Sequence, residues 1–262
     1  MINAKCFQKR YKYLKNNIFF LCILCFSVLC LLGCNNKEGI SNHVILSFDD
    51  ASVDEWFAQR ELFDTYNIKV TFFISRPHLL TKEQIDKLKM LVSDGHEVGC
   101  HGMNHIRATE ENQYQYIETE VESALQTLSD YGFTITSFAY PFGARTPYLD
   151  SMLTNYFTFI RAATYNYLDT LISIYPEIYT RRANFCITSA MGIDGNYNIS
   201  MDNLEDAILK AKQTDSFLVL YAHVINNNND DYTITPQYLE EFFKLMNKHK
   251  IGTETCMSMT KE

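Results

Sequence analysis

From position 44 onward, short apolar runs alternate with stretches whose apolar residues recur at helical spacing. The runs 44–48, 70–74, 97–99, 133–139, 157–160 and 217–221 predict strands, with a last short one at 251–253. Between them the spacing predicts helices over 53–66, 110–129, 147–156 and 202–212. Two more helices open on threonine caps: one after Thr81, carrying Ile85, Leu88, Leu91 and Val92 and stopped by Asp94 and Gly95, and one over 236–248 after Thr235. The pattern loosens over 162–200, where only a strand near 184–187 is expected. Strand and helix alternating over about 220 residues, with no composition break and no internal repeat, predict a single α/β domain with a largely parallel sheet. Six to eight strands suit a barrel or an open doubly wound sheet, and the absence of a Gly-rich dinucleotide fingerprint turns the reading toward a barrel.

The N-terminus stands apart from this rhythm. Lys5, Lys9, Arg10, Lys12 and Lys15 precede an almost unbroken apolar run over 18–32. That run is shorter than the roughly 20 residues a spanning helix needs, and it has the layout of a secretory signal. It ends in Leu31, Leu32, Gly33 and Cys34, which resembles a bacterial lipobox. The resemblance implies a signal peptide at 1–33, a lipid-modified Cys34, a polar tether over 34–43 and a domain over 44–262. The mature chain would be an exported bacterial lipoprotein held to a membrane. Asn35 and Asn36 lack the aspartate that retains some lipoproteins at the inner membrane, so an outer membrane or cell surface is favoured for a Gram-negative source.

Composition then narrows the partners. The chain is 47 % apolar and 21 % charged, as folded proteins are. Its net charge of -8 becomes -13 without the five basic residues of the signal, which argues against nucleic acid as a ligand. Of eight Cys, four fall in the signal and one is Cys34. Cys100, Cys186 and Cys256 are scattered without a C-x-x-C pair, so they form neither a zinc knuckle nor a disulfide framework.

In a parallel α/β protein the site lies where strands end and loops lead to helices. Run 44–48 is followed by Asp49 and Asp50, run 97–99 by His101 and His105, run 133–139 by Tyr140, Pro141, Phe142 and Gly143, and run 217–221 by His223. Singly these have plain readings: a helix cap, a chance H-x-x-x-H, a core histidine. Together they place two imidazoles four residues apart near a strand-end carboxylate, a 2-His-1-carboxylate face that leaves positions open for water and substrate. A second carboxylate and a further histidine supply the base and acid that metal-assisted hydrolysis needs.

The segments 46–50 (LSFDD), 70–74 (VTFFI), 95–105 (GHEVGCHGMNH) and 138–143 (FAYPFG), with 220–223 (LYAH), resemble the polysaccharide deacetylases of the NodB-homology type, carbohydrate esterase family four, in order over about 44–257. The resemblance implies a distorted (β/α) barrel and one divalent ion, Zn2+ or else Co2+ or Ni2+. By position, Asp50, His101 and His105 match metal ligands, Asp49 the general base, the backbone N–H of Phe142 an oxyanion contact, and His223 the general acid. The family's arginine two residues before the motif proline is here Ala139, a form that resembles the poly-N-acetylglucosamine deacetylases. Arg161, Arg181 and Arg182, beside strands, are the candidates to replace it. The family's fourth motif is not found, which leaves His223 without an identified partner. Tyr140, Phe142, Tyr148, Tyr165 and Tyr167 are candidates for stacking on sugar rings. The implied activity is removal of N-acetyl groups from an N-acetylhexosamine polysaccharide. The alternatives are an O-acetyl esterase on xylan or another glycan, and a catalytically weak carbohydrate-binding lipoprotein.

Overall fold

The computed structural model describes residues 41–260 apart from 184, 185 and 229. The predicted signal peptide and Cys34 lie outside the described residues. Strand β1 (Ser41–Asp50) organises the sheet. One of its edges pairs first with β11 (Ile251–Glu254) and then with β2 (Thr71–Ile74), while the other runs parallel to β8 (Phe217–Ala222). From β2 the ladder passes through β3 (Glu97–Cys100), β4 (Ser137–Ala139), β5 (Phe159–Thr164) and β7 (Cys186–Gly192) to β8, every step parallel. The β8–β1 pairing closes a seven-stranded parallel barrel. Four short strands lie outside the ring: β11 flanks β1, β6 (Tyr179–Thr180) is antiparallel to β8, and β9 (Val224–Ile225) pairs with β10 (Thr233–Ile234).

Strand alternation sorts the core into two layers. Val44, Leu46, Phe48, Leu218 and Leu220 face outward and pack with the helices, in one cluster with Trp56, Phe63, Leu88 and Phe242. Ile45, Phe73, Phe159, Val219 and Tyr221 fill the barrel. The same parity sends Asp49 of β1 and Arg161 of β5 into the interior, where both are buried. Charge inside a barrel is tolerable only when paired, and here the two meet each other.

Capping follows the sequence: Thr81 and Gln84 form a reciprocal capping box on Lys82–Ser93, and Thr235 accepts from the Tyr238 N–H. Four expectations are corrected. The tether gives way to strand at Ser41 rather than after residue 43. The helix over 53–66 breaks at Gln59, whose N–H reaches back only to the Trp56 carbonyl. Strand β4 takes up only the end of 133–139, because Phe133 packs in the outer core without a ladder partner. Of the strand expected near 184–187, residues 184 and 185 lie outside the described residues, and from Cys186 the strand runs on to Gly192, where Thr188, Ser189 and Ala190 dilute the apolar signal.

One buried histidine carries a stability prediction. The His96 ring packs against Phe63 and Phe72, and its Nδ1 accepts the Val70 N–H. Burial, helped by the nearby Lys69 charge, lowers its pKa from 6.5 to about 4. Between those values the unfolded chain binds the extra proton, so stability is full above the unfolded pKa and is lost as pH falls toward the folded one. The loss is on the order of 3 kcal/mol. Urea unfolding at pH 7.5 and 5 should show a smaller pH effect in His96→Gln than in wild type; equal effects would sink the assignment.

Candidate active site

The ends of β1, β3, β4, β5 and β8 open on one cleft of about 360 Å3 at the C-terminal rim of the barrel. Asp49 and Asp50 are neighbours that part company there. Asp49 points inward and Arg161 Nη2 donates to both its carboxylate oxygens, at 2.5 and 2.6 Å. Asp50 leaves the strand at φ 85° and accepts from Ser75 Oγ at 3.3 Å. Its Oδ1 lies 3.3 Å from His105 Nε2 and 4.0 Å from His101 Nε2, and the donor atoms of Asp50, His101 and His105 all lie within 4.8 Å of one another.

This donor set fits a divalent metal. His101 Nδ1 is 2.8 Å from the Ala139 carbonyl, which can only accept, so Nδ1 carries the hydrogen and Nε2 presents its lone pair to the site. Burial lowers the pKa of His101 despite the fields of Asp49 and Asp50, and burial together with His101 brings His105 to about 4. Both rings are therefore neutral at physiological pH, as ligation requires. Asp50, His105 and Phe142 hold φ of 85°, 60° and 61°. Left-handed backbone at non-glycine residues costs of order 1–3 kcal/mol each and clusters where function demands it.

Burial would raise the pKa of Asp49, but the Arg161 charge and hydrogen bond, with the field of His223, bring it below the usual carboxylate value. Arg161 itself is sandwiched between the rings of Phe73 and Tyr221, at 5.1 and 4.9 Å. Of the three candidate arginines, then, only this one reaches Asp49. Arg181 and Arg182 are corrected: they sit beside the start of β8, at the end of the barrel away from the cleft. Arg181 donates to the Thr214 carbonyl and Arg182 to the Ser258 carbonyl and the Glu254 carboxylate.

Across the cleft, His223 has the partner that its sequence did not disclose. Buried Asp194, just after β7, accepts from the His223 backbone N–H at 2.9 Å and from Nδ1 at 2.7 Å. Burial lowers the His223 pKa, but the Asp194 hydrogen bond and the fields of Asp49, Asp194 and Asp50 outweigh it, and the net shift is upward. The chain's one tryptophan, Trp56, donates from Nε1 to the His223 carbonyl at 2.7 Å and fixes this strand end.

Of the aromatics singled out in the sequence, exposed Phe142 and Tyr165 line the cleft. Tyr140 lines it too but is buried, with its hydroxyl donated to Asp150. Tyr148 and Tyr167 are not among the lining residues, whereas Tyr197 and Tyr232 are. The Arg107 guanidinium lies over the Phe142 ring at 4.7 Å.

A closed parallel barrel whose rim gathers two imidazoles, two carboxylates and a carboxylate-held histidine is an α/β barrel with a candidate metal centre. Residues 36–156, just under half of the chain, match the polysaccharide deacetylase family model, and the fold is the distorted (β/α) barrel of the NodB type. No curated protein matches it in sequence. Among solved structures it resembles a mutant, with restored enzymatic activity, of a CE4 family pseudoenzyme from Bacillus anthracis. That likeness has TM-score 0.53 and 15 % identity, over 85 % of this chain and 68 % of that one. It also resembles a family 4 acetyl xylan esterase from Clostridium thermocellum in complex with a cobalt ion, at TM-score 0.51 and 15 % identity, over 82 % and 89 % of the two chains. At such identity the likeness speaks for the fold.

Proposed function

We propose that the protein is a metal-dependent hydrolase that removes N-acetyl groups from an N-acetylhexosamine polysaccharide, acting from a membrane to which lipid on Cys34 would tether it. The observation that carries this reading is the placement of an arginine-held carboxylate and an aspartate-held histidine around one three-donor cluster. Asp50, His101 and His105 would hold the ion. When bound, a divalent ion such as Zn2+ supplies Lewis-acid polarisation of the acetyl carbonyl and a lowered pKa for the attacking water.

The chain's own groups do the rest. Asp49 takes a proton from the water as its oxygen attacks the acetyl carbon, and Arg161 keeps that carboxylate free of a proton beforehand. The Phe142 N–H offers a donor to the oxyanion from a backbone held in position, independent of its side chain. His223 gives its proton to the sugar nitrogen as the C–N bond breaks, and acetate and the free amine leave. Asp194 keeps that proton available, because its hydrogen bond to Nδ1 favours the charged imidazole. An amine leaving group needs this proton far more than a sugar alkoxide does, which favours N- over O-deacetylation. Phe142, Tyr165 and Tyr232 offer faces for sugar rings along the cleft.

Acetate release from chito-oligomers, poly-N-acetylglucosamine, peptidoglycan and acetylated xylan tests the reading. N-acetylated substrates are expected to be turned over, and His223→Ala to lower that rate about 10²–10⁴-fold. Turnover of acetylated xylan alone, unaffected by His223→Ala, would make the protein an O-acetyl esterase and overturn the assignment.

A further inference from the structure

The loop that carries His101 and His105 is gripped from behind by one buried carboxylate. Glu120 lies in a π-helical segment, Ile117–Glu122, between the α-helical stretches Gln113–Tyr116 and Ser123–Asp130. It falls on the buried stripe of Tyr116, Ile117, Val121, Ala124 and Leu128, and is itself 1 % exposed. A carboxylate on an apolar stripe is costly unless its oxygens are satisfied. Here they are satisfied entirely by the loop. Oε2 accepts the backbone N–H of Asn104 at 2.9 Å and of Ile106 at 3.3 Å, and Oε1 accepts Asn104 Nδ2 at 2.7 Å. The Glu120 carbonyl takes the Met103 N–H at 2.9 Å, and the Tyr116 hydroxyl donates to the Ile106 carbonyl at 3.2 Å. The loop makes room for this grip: Gly102 sits at φ 83°, and a Cβ there would come within 2.8 Å of Glu120 Oε2.

We infer that Glu120 is a positioning residue that presets the 101–106 loop, holding His105 in its left-handed conformation before any ion arrives. It does not touch either imidazole. It clamps the amides on both sides of His105, whose strained backbone would otherwise relax and carry Nε2 away from Asp50. π-Helical turns are frequent at functional sites, and this one places Glu120 against the loop. The inference rests on the metal reading proposed above.

The test uses the full chain, with Zn2+ as the probe in competition with a chromophoric chelator, and amide exchange of the metal-free protein. Glu120→Gln keeps the volume but turns one acceptor oxygen into a donor. It is expected to weaken Zn2+ binding about 10–100-fold, as outer partners of metal ligands do, and to speed exchange at 103–106 while the barrel strands keep their protection. Glu118→Gln, at an exposed neighbour, should change neither. Wild-type affinity in Glu120→Gln, unchanged exchange at 103–106, or a loss of protection spread evenly over the barrel would each overturn the inference. A wild-type protein that takes up no Zn2+ contradicts the metal reading itself, and the metal-free exchange still reports separately whether Glu120 holds the loop.

Discussion

Asp49→Asn is expected to lower acetate release by about 10³-fold, within the range lost when a general base is removed. The substitution is nearly isosteric, so substrate binding should change little and the loss should appear in kcat. Asp49 is not one of the three converging donors, so the variant should still take up one equivalent of metal. That separates it from Asp50→Asn, which removes a ligand. Arg161 is left buried without its anion, and a drop in Tm should accompany the lost rate. Turnover within tenfold of wild type would refute Asp49 as the base.

Arg161→Met should produce the largest combined effect on stability and pH response. Methionine keeps an apolar stem between Phe73 and Tyr221 but leaves the Asp49 carboxylate buried without its cation. Breaking one side of a buried pair costs about 3–5 kcal/mol, or about 6–20 °C in Tm for a domain of this size. In the wild type the depressed Asp49 pKa contributes stability above its unfolded value, and that contribution is lost as pH falls through the folded one. Without Arg161, burial dominates and the Asp49 pKa rises. The unprotonated base then survives only at higher pH, and the acid limb of kcat/KM should move upward by more than one pH unit. An unmoved acid limb, whatever the stability, would show that Arg161 does not set the ionisation of Asp49.

The parts of the site visible in the sequence are those attached to strong strands. The apolar runs before Asp49, His101, Tyr140 and His223 mark strand ends directly, and the parallel architecture then gathers the residues just beyond those ends onto one rim. The parts that were ambiguous sit on weak strands. The apolar run before Arg161 predicts a strand that stops at residue 160, so Arg161, Arg181 and Arg182 all look like flanking residues. Only the full length of β5 shows that Arg161 shares the inner face of Phe159. Asp194 was hidden because Cys186–Gly192 is built from small and hydroxylated residues and does not announce a strand end to look beyond. Glu120 was hidden differently. It interrupts an otherwise apolar stripe, and that interruption is a usable signal, but its meaning depends on a loop brought against it from 14–17 residues earlier in the chain.

The most direct measurement is acetate release from poly-N-acetylglucosamine and chito-oligomers by metal-stripped protein, before and after one equivalent of Zn2+, Co2+ or Ni2+. Almost no release is expected beforehand. Release should return on addition of the ion in the wild type, and should not return in His101→Ala. A protein that binds one ion yet frees no acetate from any N-acetylated glycan would contradict the proposed function.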